Sequence, residues 1–131
     1  GKIGTYDVVL NKPDDLTPEE FEIIKQHPRR GAVILEPIVQ LKEVVPIVMY
    51  HHEKWDGTGY PEGLSGDKIP LLARILCVAD AYDSIVSDRP YRKSPEKDYA
   101  ISELRRGAGT QFDPQVVRAF LEILNSKRSF L

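Results

Sequence analysis

Three histidines are the residues whose type and spacing best suit chemistry in this sequence. His51 and His52 are adjacent at the end of a predicted helix, where successive side chains diverge by about 100°. Such a pair can reach two neighbouring metal ions, or one ion and its substrate, and histidine is the commonest metal ligand. His27 falls on the inward stripe of an earlier predicted helix. The competing interpretation is structural: each is a hydrogen-bonded core residue or a surface residue.

Two aspartates interrupt an otherwise apolar segment, residues 69–86. Asp80 and Asp83 are three residues apart, which places both carboxylates on one face of a helix. We expect this helix to be buried almost all round, and a buried carboxylate without a cation costs several kcal/mol. The cation is either a metal ion or a side chain such as Arg74 or Lys93. Three histidines and one buried aspartate suit iron, manganese or zinc better than magnesium, which prefers oxygen ligands.

A basic segment, SDRPYRK, follows directly at residues 87–93. Its Arg89, Arg92 and Lys93 could form a phosphate clamp, because guanidinium groups bind phosphate through two hydrogen bonds. The alternative is a solvated charged turn. The short distance in sequence from the helix that holds Asp80 favours the phosphate-binding interpretation.

A glycine-rich stretch, EKWDGTGYPEGLSGDK, covers residues 53–68 and holds four of the nine glycines. Glycines at this density indicate a loop with special backbone angles rather than a linker. The loop also carries Trp55 and Tyr60, whose rings could stack on a purine or simply pack the loop down.

The elements that position these residues are predicted to be helices. Three of them begin with a capping residue directly before a proline: Thr17-Pro18, Ser94-Pro95 and Asp113-Pro114. Thr17 and Glu20 form a capping box. The predicted helices cover about 18–35, 38–52, 70–86, 95–106 and the residues from 114 onward.

Three further features refine this prediction. Pro28 is expected to kink or divide the first helix, and Pro46 to bend the second. Gly107 is expected to end the fourth helix. A short extended piece is possible at residues 6–10. The fold class is therefore all-α.

Length and composition indicate one domain, residues 1–131, with a core of its own. The residues are 41% apolar and 29% charged, which is ordinary for a soluble globular protein, and the net charge of −2 gives no sign of a nucleic acid polymer or an anionic membrane as partner. The single cysteine, Cys77, excludes a disulfide framework and indicates the cytoplasm. Apolar runs fall short of the roughly 20 residues that cross a bilayer, so any anchor belongs elsewhere in a longer protein.

Several motifs occur in the order and spacing of one known family. They are GKIG (1–4), LTPEEFEIIKQHP (16–28), HHEKWDGTGYPEG (51–63), IPLLARI (69–75), VADAYD (78–83), SDRPYRK (87–93) and RRGAGTQFDP (105–114). In these motifs the chain resembles the HD-GYP domain, a helical bundle of the HD superfamily of bacterial metal-dependent phosphohydrolases. The resemblance covers essentially the whole chain.

The resemblance implies an enzyme that hydrolyses cyclic di-GMP to pGpG, and in some members to GMP, in bacterial second-messenger signalling. It implies a site with two or three iron or manganese ions, with zinc as the alternative. The positions that match the family's metal ligands are His27, His51, His52 and Asp80. Lys2 matches a lysine that contacts the scissile phosphate. The positions that match the substrate site are Gly59, Tyr60, Pro61, Asp83, Arg89 and Arg92.

The chain departs from the family at its start. In the family, the His-Asp pair stands immediately before the positions that match Gly1 and Lys2, and further ligands lie on helices upstream. Three neutral imidazoles and one carboxylate compensate two divalent ions poorly. We therefore expect the chain by itself to be catalytically silent. Its uncovered apolar surface should favour self-association into a homodimer or exchange of helices.

Two other functions stay open at this point. One is a related metal phosphohydrolase that acts on another cyclic dinucleotide or nucleotide. The other is a signalling module that binds a GGDEF diguanylate cyclase domain through the glycine-rich loop. In each case, the resemblance implies a sensory or receiver domain upstream in the same protein, which can be anchored in a membrane.

Overall fold

Helices make up the regular structure of residues 15–87 and 95–128, the part of the chain that the computed structural model describes. The α-helices are α1 (Pro18–Ile24), α2 (His27–Leu35), α3 (Val45–Tyr50), α4 (Leu71–Ser87), α5 (Pro95–Gly107) and α6 (Pro114–Arg128), with 3-10 turns at Val39–Leu41 and Gly66–Lys68. Within the same ranges there is no β-strand, only two isolated bridges. The predicted all-α class is confirmed.

The first predicted helix is divided near Pro28, as expected. The Thr17 hydroxyl accepts a hydrogen bond from the Glu20 N–H, and the Glu20 carboxylate accepts one from the Thr17 N–H, so the capping box that starts α1 is present. The helix ends at Ile24, and α2 begins at His27 with Pro28 in its first turn, where the missing N–H removes no helical hydrogen bond.

The prediction of one bent helix over 38–52 was wrong. The structure has the 3-10 turn Val39–Leu41 and then the short helix α3, with Pro46 in its first turn. Proline is tolerated at that position, so it begins a new helix instead of bending a longer one. As a consequence, His51 lies at the end of α3 and His52 lies beyond it.

The limits of α4 agree with the prediction, but its burial does not. Only Ala73 and Val78 of this helix are buried, whereas the apolar residues of one flank are exposed: Leu71, Leu72, Ile75 and Leu76. The reason is that α3, α5 and α6, which pack against α4, leave that flank uncovered within the described ranges. The apolar sequence correctly predicted the helix, but not the neighbours that surround it.

The core lies where α4, α5 and α6 meet. Its buried centre consists of Val78, Leu104, Phe112 and Val117. A Cβ at Gly107 would come within 2.8 Å of the Phe112 ring, so this glycine, which ends α5 as predicted, also gives the ring its space. The predicted caps Thr17 and Asp113 are both seen, since the Asp113 carboxylate accepts a hydrogen bond from the Gln115 N–H at 2.9 Å.

Two other predictions concern residues that the structure does not describe. The cap Ser94 and the extended piece at 6–10 both lie outside the described residues. In the described ranges, no helix combines the length and apolar character needed to cross a membrane.

Candidate metal centre

The three histidines that the sequence singled out lie together. Helices α2 and α3 pack against each other, which brings His27, the first residue of α2, to His51 and His52 at the end of α3. One ligand atom from each histidine lies within 4.8 Å of the other two. His27 is buried and the other two are half-buried. This cluster is therefore placed to hold a metal ion.

Hydrogen bonds to the backbone orient two of these rings. His27 Nδ1 lies 2.7 Å from the Ile24 carbonyl oxygen, and His51 Nδ1 lies 2.7 Å from the Val48 carbonyl oxygen. A carbonyl only accepts, so Nδ1 of each ring donates its proton and the lone pair of the neutral ring is on Nε2. Metal-binding histidines are commonly held by such outer hydrogen bonds, which fix both the tautomer and the ring direction.

The spacing of the ligand atoms also fits a metal ion. His27 Nε2 and His52 Nε2 are 3.1 Å apart. Two nitrogens that bind one ion at about 2.1 Å are separated by about 3.0 Å at a right angle and about 3.4 Å at a tetrahedral angle. The donors present therefore fit a transition metal in chemistry, and the His27–His52 pair also fits in distance.

Asp80 does not join this cluster. Its carboxylate is exposed on α4, although the sequence predicted it to be buried, because the described neighbours of α4 do not cover that side. The ion pair with Arg74, considered as the alternative for both aspartates, is also absent among the described contacts: Arg74 pairs with Asp113 at 2.7 Å. Asp83 instead accepts a hydrogen bond from the Ser87 hydroxyl at 2.8 Å. The ligand role of Asp80 and the substrate role of Asp83 stay predictions.

The glycine-rich loop has the special backbone angles that the sequence predicted. Gly57, Gly63 and Gly66 have positive φ angles of 83°, 71° and 57°. Gly59 has a different requirement, because a Cβ there would lie 2.4 Å from the Lys54 nitrogen and 2.5 Å from the His52 carbonyl oxygen. Only glycine allows this close approach of the backbone.

This close approach brings Tyr60 onto the histidine cluster. The Tyr60 N–H donates a hydrogen bond to the His52 carbonyl oxygen at 3.3 Å, and the two rings are stacked with centroids 5.1 Å apart and planes 22° apart. Burial raises the pKa of the Tyr60 phenol, so the hydroxyl stays protonated at neutral pH. Pro61 follows through a cis peptide bond. Gly59, Tyr60 and Pro61 thus form one wall beside the histidine cluster.

Trp55 packs the loop down, which is one of the two roles considered for it. The Arg74 guanidinium lies over its ring, 5.8 Å from the centroid. Backbone hydrogen bonds from Trp55 and Asp56 to the carbonyl oxygens of Gln111 and Thr110 fix this end of the loop to the segment before α6. The Trp55 ring is therefore in contact with another side chain of the same chain.

The burial of two acidic groups, one of which is the helix cap Asp113, was not predicted from the sequence. Glu53 is 2% exposed and its carboxylate accepts three backbone hydrogen bonds from the loop. Asp113 is 3% exposed and pairs with Arg74. Only their positions in the sequence pointed to these two acids. Glu53 directly follows the histidine pair, and Asp113 directly precedes a proline that starts a helix.

Cys77 does not belong to the ligand cluster found among the described residues. Burial, and to a lesser degree the negative charge of Asp80, raises the pKa of its thiol to about 11. Because the thiolate is the reactive and metal-binding form, the protonated thiol at neutral pH is inert. The remaining predicted site residues, Lys2, Arg89 and Arg92, and the neighbouring Lys93, lie outside the described residues.

Comparisons with known proteins identify the family. A family model described as HD domain matches residues 5–116. The chain is 46% identical over 127 residues to a cyclic di-GMP phosphodiesterase of Thermotoga maritima, a match that covers 94% of the chain and 34% of that protein. It is 45% identical over 130 residues to a cyclic di-GMP phosphodiesterase of Vibrio cholerae, which covers 94% of the chain and 26% of that protein. The chain thus spans about a third or less of the length of these curated relatives.

The fold has a solved counterpart as well. The crystal structure of a Vibrio cholerae protein named as a cyclic GMP-AMP specific phosphodiesterase is similar with a TM-score of 0.71 at 23% identity, covering 92% of the chain and 32% of that protein. HD-domain phosphohydrolases use divalent metal ions, and the histidine cluster supplies ligand atoms for such ions. The resemblance drawn from the sequence motifs is confirmed: the chain belongs to the HD-domain family.

Proposed function

We propose that this chain is the metal-binding part of a cyclic di-GMP phosphodiesterase domain that yields pGpG or GMP. The observation that carries the proposal is the cluster of His27, His51 and His52, with Tyr60 stacked at its edge. The names of relatives at 45–46% identity support the same substrate. The whole of residues 1–131 belongs to one domain in this proposal, which acts on its substrate in the cytoplasm.

The three histidines hold the metal through nitrogen, with Asp80 as the proposed fourth ligand. Imidazole suits transition metals better than magnesium, so we propose iron or manganese, with zinc as the alternative, in a site of two or three ions. When bound, such ions lower the pKa of a coordinated water and stabilise charge on phosphate oxygens. The backbone hydrogen bonds of His27 and His51 keep both rings turned toward the site without further rearrangement.

The other predicted residues bind the substrate. Lys2, Arg89 and Arg92 neutralise the charge that develops on the phosphate as the ester bond is broken. Tyr60 presents a protonated hydroxyl and a ring face next to His52, so it can donate a hydrogen bond and also contact a base. Gly59 and Pro61 hold that ring in place, and Asp83 lines the same site.

The decisive experiment measures the hydrolysis of several nucleotides by the full-length protein. With iron or manganese supplied, cyclic di-GMP should be turned over with the highest kcat/KM, and a chelator should abolish the reaction. A mixed guanine-adenine cyclic dinucleotide is the essential competitor, because the solved neighbour at 23% identity is named for that substrate. If the mixed dinucleotide has the higher kcat/KM, the substrate assignment is wrong although the metal chemistry stands.

We also propose that the loop from Trp55 to Gly66 contacts a GGDEF diguanylate cyclase domain. The loop is on the surface next to the site, and surface loops commonly carry interaction sites. A pull-down compares the wild type with the triple variant Gly59→Ala, Tyr60→Ala and Pro61→Ala. Loss of the cyclase from the variant supports the contact, and equal capture by both proteins contradicts it.

A further inference from the structure

Glu53 is a buried carboxylate directly beside the metal-binding histidines. It is 2% exposed and follows His52 in the chain. Its Oε1 accepts hydrogen bonds from the N–H groups of Glu62 at 2.7 Å and Gly63 at 3.1 Å, and its Oε2 accepts one from the Leu64 N–H at 3.0 Å. Three N–H donors from one loop therefore compensate the burial of this charge.

These contacts close the glycine-rich loop onto its own first residues. The Glu53 side chain holds residues 62–64, while the His52 carbonyl oxygen accepts the Tyr60 N–H. Gly59 directly precedes Tyr60, and its backbone lies against the Lys54 nitrogen and Glu53 Cα. The path of residues 59–64 is thus fixed by the two residues His52 and Glu53.

The closed loop sets the surroundings of a metal ligand. Tyr60 lies in the segment that these attachments hold, and its ring is stacked on His52, whose Nε2 is 3.1 Å from His27 Nε2. If the segment moved, Tyr60 would leave His52, and one face of that imidazole would be uncovered. The carboxylate of Glu53 therefore acts on the site through Tyr60 and not by touching a metal or substrate.

We infer that Glu53 is a positioning residue. Its carboxylate holds residues 60–64 in place, so that Tyr60 packs on His52. In this way the substrate-facing loop is coupled to the metal ligands. The substrate-facing part of this inference rests on the proposed function. The positioning of Tyr60 on His52 does not, because it concerns contacts within the chain.

The experiment replaces the carboxylate by its isosteric amide, Glu53→Gln. In either orientation of the amide, its nitrogen would face at least one backbone N–H. Both groups are hydrogen-bond donors, so the loop should shift. The matched control is Asp67→Asn, which removes one negative charge from the far end of the same loop. This side chain is 94% exposed and lies 3.7 Å from the Arg74 guanidinium. Tyr60→Leu serves as the reference, because it removes the Tyr60 ring from the His52 ring.

The first readout is the NMR resonances of the His52 ring in metal-stripped full-length protein labelled at histidine. Glu53→Gln should move them in the same direction as Tyr60→Leu, and Asp67→Asn should leave them in place. The inference is contradicted if Glu53→Gln leaves the resonances unchanged, or if Tyr60→Leu itself does not move them. Circular dichroism of each variant checks that the helices persist.

The second readout is the metal content and the kcat/KM of the metal-loaded enzyme. Glu53→Gln should keep the wild-type metal content and lower kcat/KM about 10- to 100-fold, the usual effect of losing an outer support of a metal site. An unchanged kcat/KM in an active protein contradicts the inference. If the wild type hydrolyses no cyclic dinucleotide, the proposed function is contradicted. The positioning of Tyr60 by Glu53 is not, because the NMR measurement does not depend on activity.

A third measurement needs no variant and applies if Glu53→Gln does not fold. Hydrogen exchange of the wild-type protein should show protected amides at Glu62, Gly63 and Leu64, although they lie in a loop, since each donates to the buried carboxylate. Rapid exchange at all three positions would show that the carboxylate does not hold the loop.

Discussion

At the scale of single residues, hydrogen bonds to the backbone orient two of the three histidine rings. His27 and His51 each donate from Nδ1 to a carbonyl oxygen three residues earlier in the chain, so the tautomer that directs Nε2 toward the cluster is built into the helix ends. Neither hydrogen bond requires a charged partner. In the neutral ring, donation from Nδ1 leaves the lone pair on Nε2 for a metal ion.

Residue type was enough to predict the three histidines, but not the residues that support them. An adjacent pair of histidines and a third on an inward helical stripe are visible in a sequence. The role of Glu53 is not, because its partners are backbone N–H groups up to eleven positions further along the chain, whose location depends on the path of the loop. Asp80 shows the opposite error, since apolar neighbours in sequence did not guarantee burial.

The first prediction concerns the substrate wall. Tyr60→Ala in the full-length protein should raise the KM for cyclic di-GMP about 5- to 100-fold, because loss of a base-stacking ring typically costs about 1–3 kcal/mol. Metal content should stay at the wild-type value, since the ring covers His52 without being a ligand. Steady-state kinetics and elemental analysis of the same preparation check both parts. Unaltered kinetic constants would show that Tyr60 does not contact the substrate.

At the scale of elements, local signals determined where helices begin and end. Prolines after capping residues start α1 and α6, and Gly107 ends α5, so these limits could be read directly from the sequence. The interpretation of Pro46 failed because a proline in a helical pattern can either bend a helix or start one. Which of the two occurs depends on how the preceding segment packs, and that information is not local.

The second prediction concerns the close approach in the loop. Gly59→Ala should displace Tyr60 and lower activity strongly, because a Cβ cannot lie 2.4 Å from a backbone nitrogen. Gly66→Ala is the matched control: its φ is 57°, but a Cβ there would meet nothing within 4 Å. The control should lose only about 1 kcal/mol of stability, the usual cost of a left-handed residue. Equal activities of the two variants would contradict the proposed packing.

The third prediction concerns the buried ion pair that joins α4 to the start of α6. Arg74→Met should lower the free energy of unfolding by about 3–5 kcal/mol, because it leaves the Asp113 carboxylate, which is 3% exposed, without its cation. Arg118→Met, an exposed change on α6, is the control and should have an effect near zero. Urea unfolding of the three proteins measures the difference. A loss below about 1 kcal/mol for Arg74→Met would show that the pair contributes little.

At the scale of the whole molecule, the described residues leave one apolar flank of α4 uncovered. Leu71, Leu72, Ile75 and Leu76 are exposed, and the described residues cluster only three metal-ligating side chains. The chain also spans 34% and 26% of the two relatives compared. The exposed apolar flank is the feature that bears on association of the chain.

The fourth prediction follows for the 131-residue chain alone. It should be catalytically silent and should self-associate, because two divalent ions would be poorly compensated and an apolar flank would face water. The comparison is with the full-length protein. Hydrolysis rates at matched metal concentration and sedimentation velocity measure the two effects. Equal rates would contradict the prediction that the chain alone is silent.

The central claim is that His27, His51 and His52 form a metal centre, and elemental analysis tests it most directly. The full-length protein, purified and reconstituted with iron, manganese or zinc, should contain about two or more ions per chain. His51→Ala should lower that ratio, whereas Asp67→Asn should not. A protein that retains none of the three metals after reconstitution, or a His51→Ala variant with the full wild-type ratio, would contradict the account.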